Sequence, residues 1–106
     1  MDELSAFQRD IVTVLPADST YGLGIKRRLG ERYGEEINHG RLYPNLDSLE
    51  EDDYVRKRAI DERTNEYELT EKAERELLDH IEWRLDCFVC DGDRERDVVR
   101  ALDSEA

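Results

Sequence analysis

Apolar residues return at three- and four-residue steps over residues 2–15, at Leu4, Phe7, Ile11, Val14 and Leu15. That spacing predicts a helix with one apolar face. Pro16 and the polar residues after it stop the helix. A second helix is expected over residues 21–33, capped by Ser19 or Thr20. Its Leu23, Ile25 and Leu29 face inward, and Lys26, Arg27, Arg28 and Arg32 face outward. Gly22 and Gly24 each cost such a helix roughly 0.8–1 kcal/mol against Ala, so close backbone packing or close approach to a phosphate must explain them. Gly34 ends this helix, and Asn38 caps a third over residues 39–52. Leu42, Leu46 and Leu49 form its buried stripe. Pro44 removes a backbone hydrogen bond and should bend the helix or leave its first turn irregular. Asp53 stands where the chain needs a left-handed residue, a conformation that Asp tolerates better than most.

The period then changes. Residues 54–60 and 64–69 read as two strands around a turn at 61–63, with Val55, Lys57 and Ala59 alternating with Arg56, Arg58 and Ile60. Tyr67 and Leu69 join Val55 on the core side. Thr70 caps a long fourth helix whose first turn holds Glu71 and Glu74, where the dipole favours anions. Ala73, Leu77, Ile81, Leu85 and Phe88 run along one face of it, widened by Leu78 and Trp83. Asp-Gly-Asp at 91–93 breaks the pattern, and Val98, Val99 and Leu102 suggest a short final helix. The order helix, helix, helix, hairpin, helix is that of a winged helix-turn-helix: mainly α with a small β-hairpin and a C-terminal dimerisation helix. Residues 1–70 form the expected winged helix-turn-helix domain, and residues 71–106 a long C-terminal helix and a short tail.

Composition changes this picture in one respect. The 106-residue chain is 38% hydrophobic, 8% aromatic, and carries a net charge of -12. Its cations are thirteen Arg and three Lys. Such a composition favours disorder, but the periodic apolar positions of residues 4–90 argue against it. A surface built for a very salty cytoplasm fits better: carboxylates hold hydrated monovalent cations, and at 1 M salt the Debye length falls to about 3 Å. Nine basic and twelve acidic residues lie between positions 20 and 70, against six and twelve from position 71 onward. Acid is thus densest in the expected dimer helix, away from a nucleic acid. No apolar run approaches the ~20 residues that cross a bilayer, and the first ten residues lack the basic and apolar regions of a signal peptide. A cytoplasmic protein without membrane contact is expected.

Three stretches carry a family resemblance. "TYGLGI" in the second helix, "GRLYPNLDSLEEDDYV" from the third helix into the first strand, and "NEYELTEKAEREL" from the second strand into the fourth helix span about residues 20–78. The sequence resembles the PadR-like winged-helix transcriptional regulators, in a haloarchaeal form. Asp53 and Ala73 depart from the family, which usually has Gly at both places. The resemblance implies a homodimer on double-stranded DNA with a two-fold operator. Its first and last helices would hold the interface through Leu4, Phe7, Ile11, Leu77, Ile81, Trp83, Leu85 and Phe88. Oxidative stress is one candidate stimulus.

On the third helix, His39, Arg41, Asn45 and Ser48 are expected to face away from the Leu stripe. Arg41 suits guanine and Asn45 suits adenine. Asn38 can touch phosphate as well as cap; Tyr43 either reaches a phosphate or packs. Arg56, Arg58 and Arg63 are the wing candidates, unless Glu66 and Glu68 hold them in cross-strand pairs. Thr20, Tyr21 and Lys26 lie near the end of the second helix that meets a phosphate, while Arg27 and Arg28 have Glu31 and Glu35 as alternative partners. Cys87 and Cys90 are neighbours on a helix. They read first as small hydrophobes, with a redox pair or a zinc shared with a partner copy as alternatives. Trp83 is interface core or a platform for a ligand between subunits. His39 and His80 lie too far apart to suggest a metal, and no nucleophile–base pair or phosphate-cradling loop is present, so no cofactor or enzymatic activity is expected. A protein-interaction module that does not read DNA is the alternative. For a DNA binder this acidic, affinity is expected to be weak in dilute buffer and to tolerate high salt.

Overall fold

The computed structural model describes residues 1–15, 20–90 and 92–103. Its elements are α1 (Ala6–Val14), β1 (Thr20–Tyr21), α2 (Gly22–Tyr33), α3 (His39–Glu51), β2 (Val55–Ala59), β3 (Asn65–Leu69), α4 (Glu71–Phe88) and α5 (Gly92–Asp103). The mainly helical winged helix-turn-helix is therefore present.

Local chemistry sets most boundaries. α1 begins later than expected, because Ser5 and Gln8 form a capping box: each side-chain oxygen accepts from the other's backbone N–H. α2 starts at Gly22 behind Tyr21, which supplies no side-chain cap. Thr20 belongs instead to β1, and Ser19 lies outside the described residues. Gly34 ends α2 at φ 73°, and Asp53 adopts φ 63° after α3, so both left-handed positions are as expected. Asn38 caps α3 through the N–H of Gly40 at 2.7 Å. The helix continues through Pro44. α5 is longer than the short helix expected, with none of its residues buried.

The sheet has three strands in the order β1-β3-β2, both pairs antiparallel. Val55 pairs with Leu69 and Lys57 with Tyr67, as the alternation implies. β1 is an addition to the expected hairpin; two residues carry no periodicity.

One core joins α1, α2, α3, the sheet and the start of α4. Ile11, Val12, Ile25, Leu29, Leu42, Leu46, Leu49 and Ala73 are fully buried in it. Leu23 is a correction: it is 72% exposed, because the inward face of α2 runs through Gly22, Ile25 and Leu29. Leu4, Phe7 and Ile11 of the N-terminal segment are buried in the subunit's own core.

The buried ring of Tyr54 ties the N-terminal segment to α4. Its hydroxyl lies 2.6 Å from Glu3 and 2.9 Å from Glu76, and the Met1 ammonium also meets Glu76. The Tyr54 hydrogen bond is the main reason the Glu3 carboxyl falls from 4.5 to about 2. A depressed carboxylate contributes stability above its unfolded pKa and loses it as pH falls through the folded one. Tyr54→Phe is therefore expected to lose about 1 kcal/mol for the missing hydrogen bond. The gap to wild type should be full above pH 4.5 and close as pH approaches about 2. Thermal melts of both proteins across that window check it; a gap independent of pH would contradict this role.

Candidate nucleic-acid interface

The orientation of α3 follows from its buried stripe. With 3.6 residues per turn, burying Leu42, Leu46 and Leu49 turns Gly40, Pro44 and Asp47 outward, and all three are exposed. His39 is exposed at the first turn, with its ring 4.3 Å from that of Tyr43. Arg41, which is exposed, and Asn45, which is half-buried, stand on the flank of that outward face. The Arg41 guanidinium lies 3.9 Å from the centre of the Phe7 ring. Asn45 accepts from Gln8 at 3.1 Å and donates to the Arg41 carbonyl at 2.8 Å. Both are held against α1, and Ser48 is half-buried on the same flank. The outward centre is thus made of small or rigid residues that a wheel drawn one step off misses. Asn38 spends its side chain on the cap.

Tyr43 packs rather than reaching out. It is half-buried against the core, and its ring occupies the space that a Cβ on Gly22 would need. Gly22 is therefore explained by close packing between α2 and α3. Near it, Tyr21 is half exposed and Lys26 reaches Glu36 at 3.9 Å. Arg28 donates to the Val14 carbonyl at 2.7 Å instead of pairing with Glu31 or Glu35.

In the wing, Arg56 and Arg58 extend from the solvent face, and both have carboxylate partners. Arg56 meets Glu68 at 2.8 Å and Arg58 meets Glu66 at 3.2 Å. Lys57 faces the other way and sits 3.6 Å from Asp47 and 3.7 Å from Glu50 on α3. Arg63 stands exposed between the strands, its backbone N–H bonded to Asp61 and its guanidinium without a partner among the described residues. The expected separation of sign is accordingly incomplete: on this side of the molecule cations and carboxylates alternate within a few ångströms.

The far half of α4 is the other notable surface. Ala73 is buried and Leu77 packs on the core, but Leu78, Ile81, Trp83, Leu85 and Phe88 are exposed, with Trp83 at 61%. Val99 and Leu102 of α5 are exposed too. Cys87 and Cys90 are free and exposed, so packing within the subunit does not account for them. Arg94 donates to Cys90 Sγ at 3.8 Å. Among the described residues no group of His, Cys, Asp and Glu has the geometry of a metal site. No helix there is long and apolar enough to cross a membrane.

Residues 11–79 match the family model described as the transcriptional regulator PadR-like family. No curated protein matches the chain. Among solved structures, RosR of H. salinarum, from crystals grown in NaBr, is 50% identical with a TM-score of 0.92 over 97% of this chain and 94% of that one. RosR in the complex RosR-S4 is also 50% identical, with a TM-score of 0.90 over 97% of this chain and 90% of that one. Bacillus subtilis PadR in complex with operator DNA shares the fold at 23% identity, with a TM-score of 0.62 over 73% of this chain and 47% of that one.

The Gly22–Tyr43 contact sets the spacing of the two helices of the helix-turn-helix. Gly22→Ala is expected to cost about 1–3 kcal/mol by overpacking. Adding Tyr43→Ala should then cost less than it does in wild type, because the clash is gone. Denaturant unfolding of the two single variants and the double variant checks this; strict additivity would contradict it.

Proposed function

The chain belongs to the PadR-like family of transcriptional regulators, and we propose that it is a sequence-specific DNA-binding homodimer that works at high salt. The observation that carries the reading is the exposed α3 face. A helix with its Leu stripe sealed in the core presents Gly40, Pro44 and Asp47 outward, flanked by His39 and Arg41. Small residues at the centre let the helix axis approach the floor of the major groove, while the flanking side chains reach base edges. The wing and the Thr20–Tyr21 end of α2 would meet phosphates on either side.

Homodimerisation rests on the distal half of α4. Its exposed Ile81, Leu85 and Phe88 share one face of the helix, an apolar surface of the kind that marks an interface, and the exposed Trp83 stands round the helix from them. A two-fold pair would place two α3 helices about one DNA turn apart. Adaptation to salt is supported by the charge of -12 and the preponderance of Arg over Lys. Oxidant is the stimulus to test, because the exposed Cys87 and Cys90 are open to it.

Genome-wide mapping of bound sites in cells at native salt, with and without oxidant, is expected to give discrete two-fold sites. Pro44→Glu should abolish that enrichment without loss of stability, since it places an anion at the groove while restoring a backbone N–H to the helix. Retention of the same sites by this variant would instead favour a protein-interaction module recruited by others. Ile81→Glu with Phe88→Glu is expected to convert the dimer to a folded monomer in sedimentation equilibrium. An unchanged mass would place the interface elsewhere.

A further inference from the structure

We propose that the arginines of the wing are locked by carboxylates of their own sheet, and that DNA binds by displacing those carboxylates. The proposal deepens the DNA-binding reading and rests on it. Arg56, Lys57 and Arg58 are three consecutive cations, a run matched in the chain by Lys26, Arg27 and Arg28. None of the three in the wing is without an acidic partner. Arg56 holds Glu68 at 2.8 Å and Arg58 holds Glu66 at 3.2 Å, each directly across the β2–β3 ladder. Lys57 is shared by Asp47 and Glu50 of α3. The outer pairs, with Lys57, line a groove of about 330 Å³. The arginine side chains are 65% and 72% exposed, so a phosphate can reach them without unfolding the sheet.

Exposed ion pairs are weak, so such a lock opens on contact instead of blocking it. Its consequence is a changed response to salt. A free Arg that neutralises a phosphate steepens the fall of log affinity with log salt by about 0.9. An Arg that must first leave a carboxylate gives back part of this. Salt weakens the internal pair as well as the phosphate contact, and the released carboxylate takes up cations as the phosphate loses them. The wing thereby trades affinity in dilute solution for affinity that persists in brine. Lys57 has a different part: turned toward α3, it fixes the wing to the recognition helix.

The test uses the full chain and a mixed-sequence duplex of roughly three helical turns, titrated between about 0.2 and about 2 M KCl. Glu66→Gln with Glu68→Gln is expected to bind about threefold to tenfold tighter at the low end. Its salt slope should be steeper by about 1–2. Adding Arg56→Gln and Arg58→Gln should erase both effects. Glu31→Gln with Glu35→Gln, at the C-terminal end of α2, removes the same charge outside both the wing and the distal half of α4 and should leave the slope near that of wild type. An equal gain from this control makes the effect one of net charge and overturns the lock, as does a folded wing variant with wild-type affinity and slope. Should the double substitution unsettle the sheet, Glu68→Gln alone releases Arg56 and should show about half the change in slope. Failure of every form to bind duplex at any salt removes the DNA-binding reading itself, and the lock with it.

Discussion

Burial of three leucines on α3 is the constraint from which the rest of the molecule follows. Leu42, Leu46 and Leu49 are each 0% exposed, packed among residues of α1, α2 and the sheet. Each contributes roughly 1.5–3 kcal/mol on leaving water, far more than any polar contact of the helix. The rotation of α3 about its axis is therefore fixed by the core, and the outward face is whatever lies opposite. Here that is Gly40, Pro44 and Asp47. The long polar side chains fall to the sides, where α1 takes hold of them. Phe7 lies under Arg41 and Gln8 bonds Asn45. Were α3 to read bases, its low centre and restrained flanks would leave fewer rotamers to be frozen on binding, and more of each contact's energy would remain as affinity.

Features that depend on neighbours along the chain are legible in the sequence itself. Asn38 and Thr70 cap the helices expected of them, Gly34 and Asp53 take left-handed backbone, and Tyr67 and Leu69 lie on the face of Val55 as the alternation suggests. What escapes depends on neighbours in space. β1 exists because β3 offers it an edge. The ring of Tyr54 is anchored by Glu3 and Glu76, fifty-one and twenty-two positions away. Periodicity misplaces Leu23 because an apolar residue beside the true stripe looks like part of it. The α1 apolar face is legible, but whether it meets its own core or another copy is not, since hydrophobic periodicity carries no address.

The charge pattern shows the same limit at shorter range. Counts along the chain place the densest acid toward the C-terminus, and that is correct as far as it goes. They hide the pairing between strands, where Glu66 and Glu68 face Arg58 and Arg56, and between elements, where Asp47 and Glu50 reach Lys57. A polyanion approaching this surface meets a mosaic, not a cationic field. In dilute solution such a mosaic attracts weakly at long range. In concentrated salt, where fields die within about 3 Å, only contacts count, and a mosaic of well-placed arginines loses little against a uniformly basic surface.

The joint between the wing and α4 determines how the two ends of the molecule can communicate. The Thr70 hydroxyl donates to the Asp53 carbonyl at 2.7 Å, the Thr70 N–H to the Tyr54 carbonyl at 3.2 Å, and Lys72 to the Asp52 carbonyl at 2.7 Å. Ala73, in the first turn of the same helix, is fully buried in the core. The end of α3, the start of β2 and the first turn of α4 are thus one knot, and the left-handed turn at Asp53 is its apex. α4 then leaves the core and carries its exposed apolar half outward. In the proposed dimer the angle between partner helices at Ile81 and Phe88 would pass through this knot to α3 with little slack. A small rotation at the interface would then appear as a change in the separation of the two recognition helices. In that proposed dimer one turn of DNA would fix the separation, and events near Cys87, Cys90 and Arg94 at the distal end of α4 would have a mechanical route to operator affinity that needs no contact with DNA.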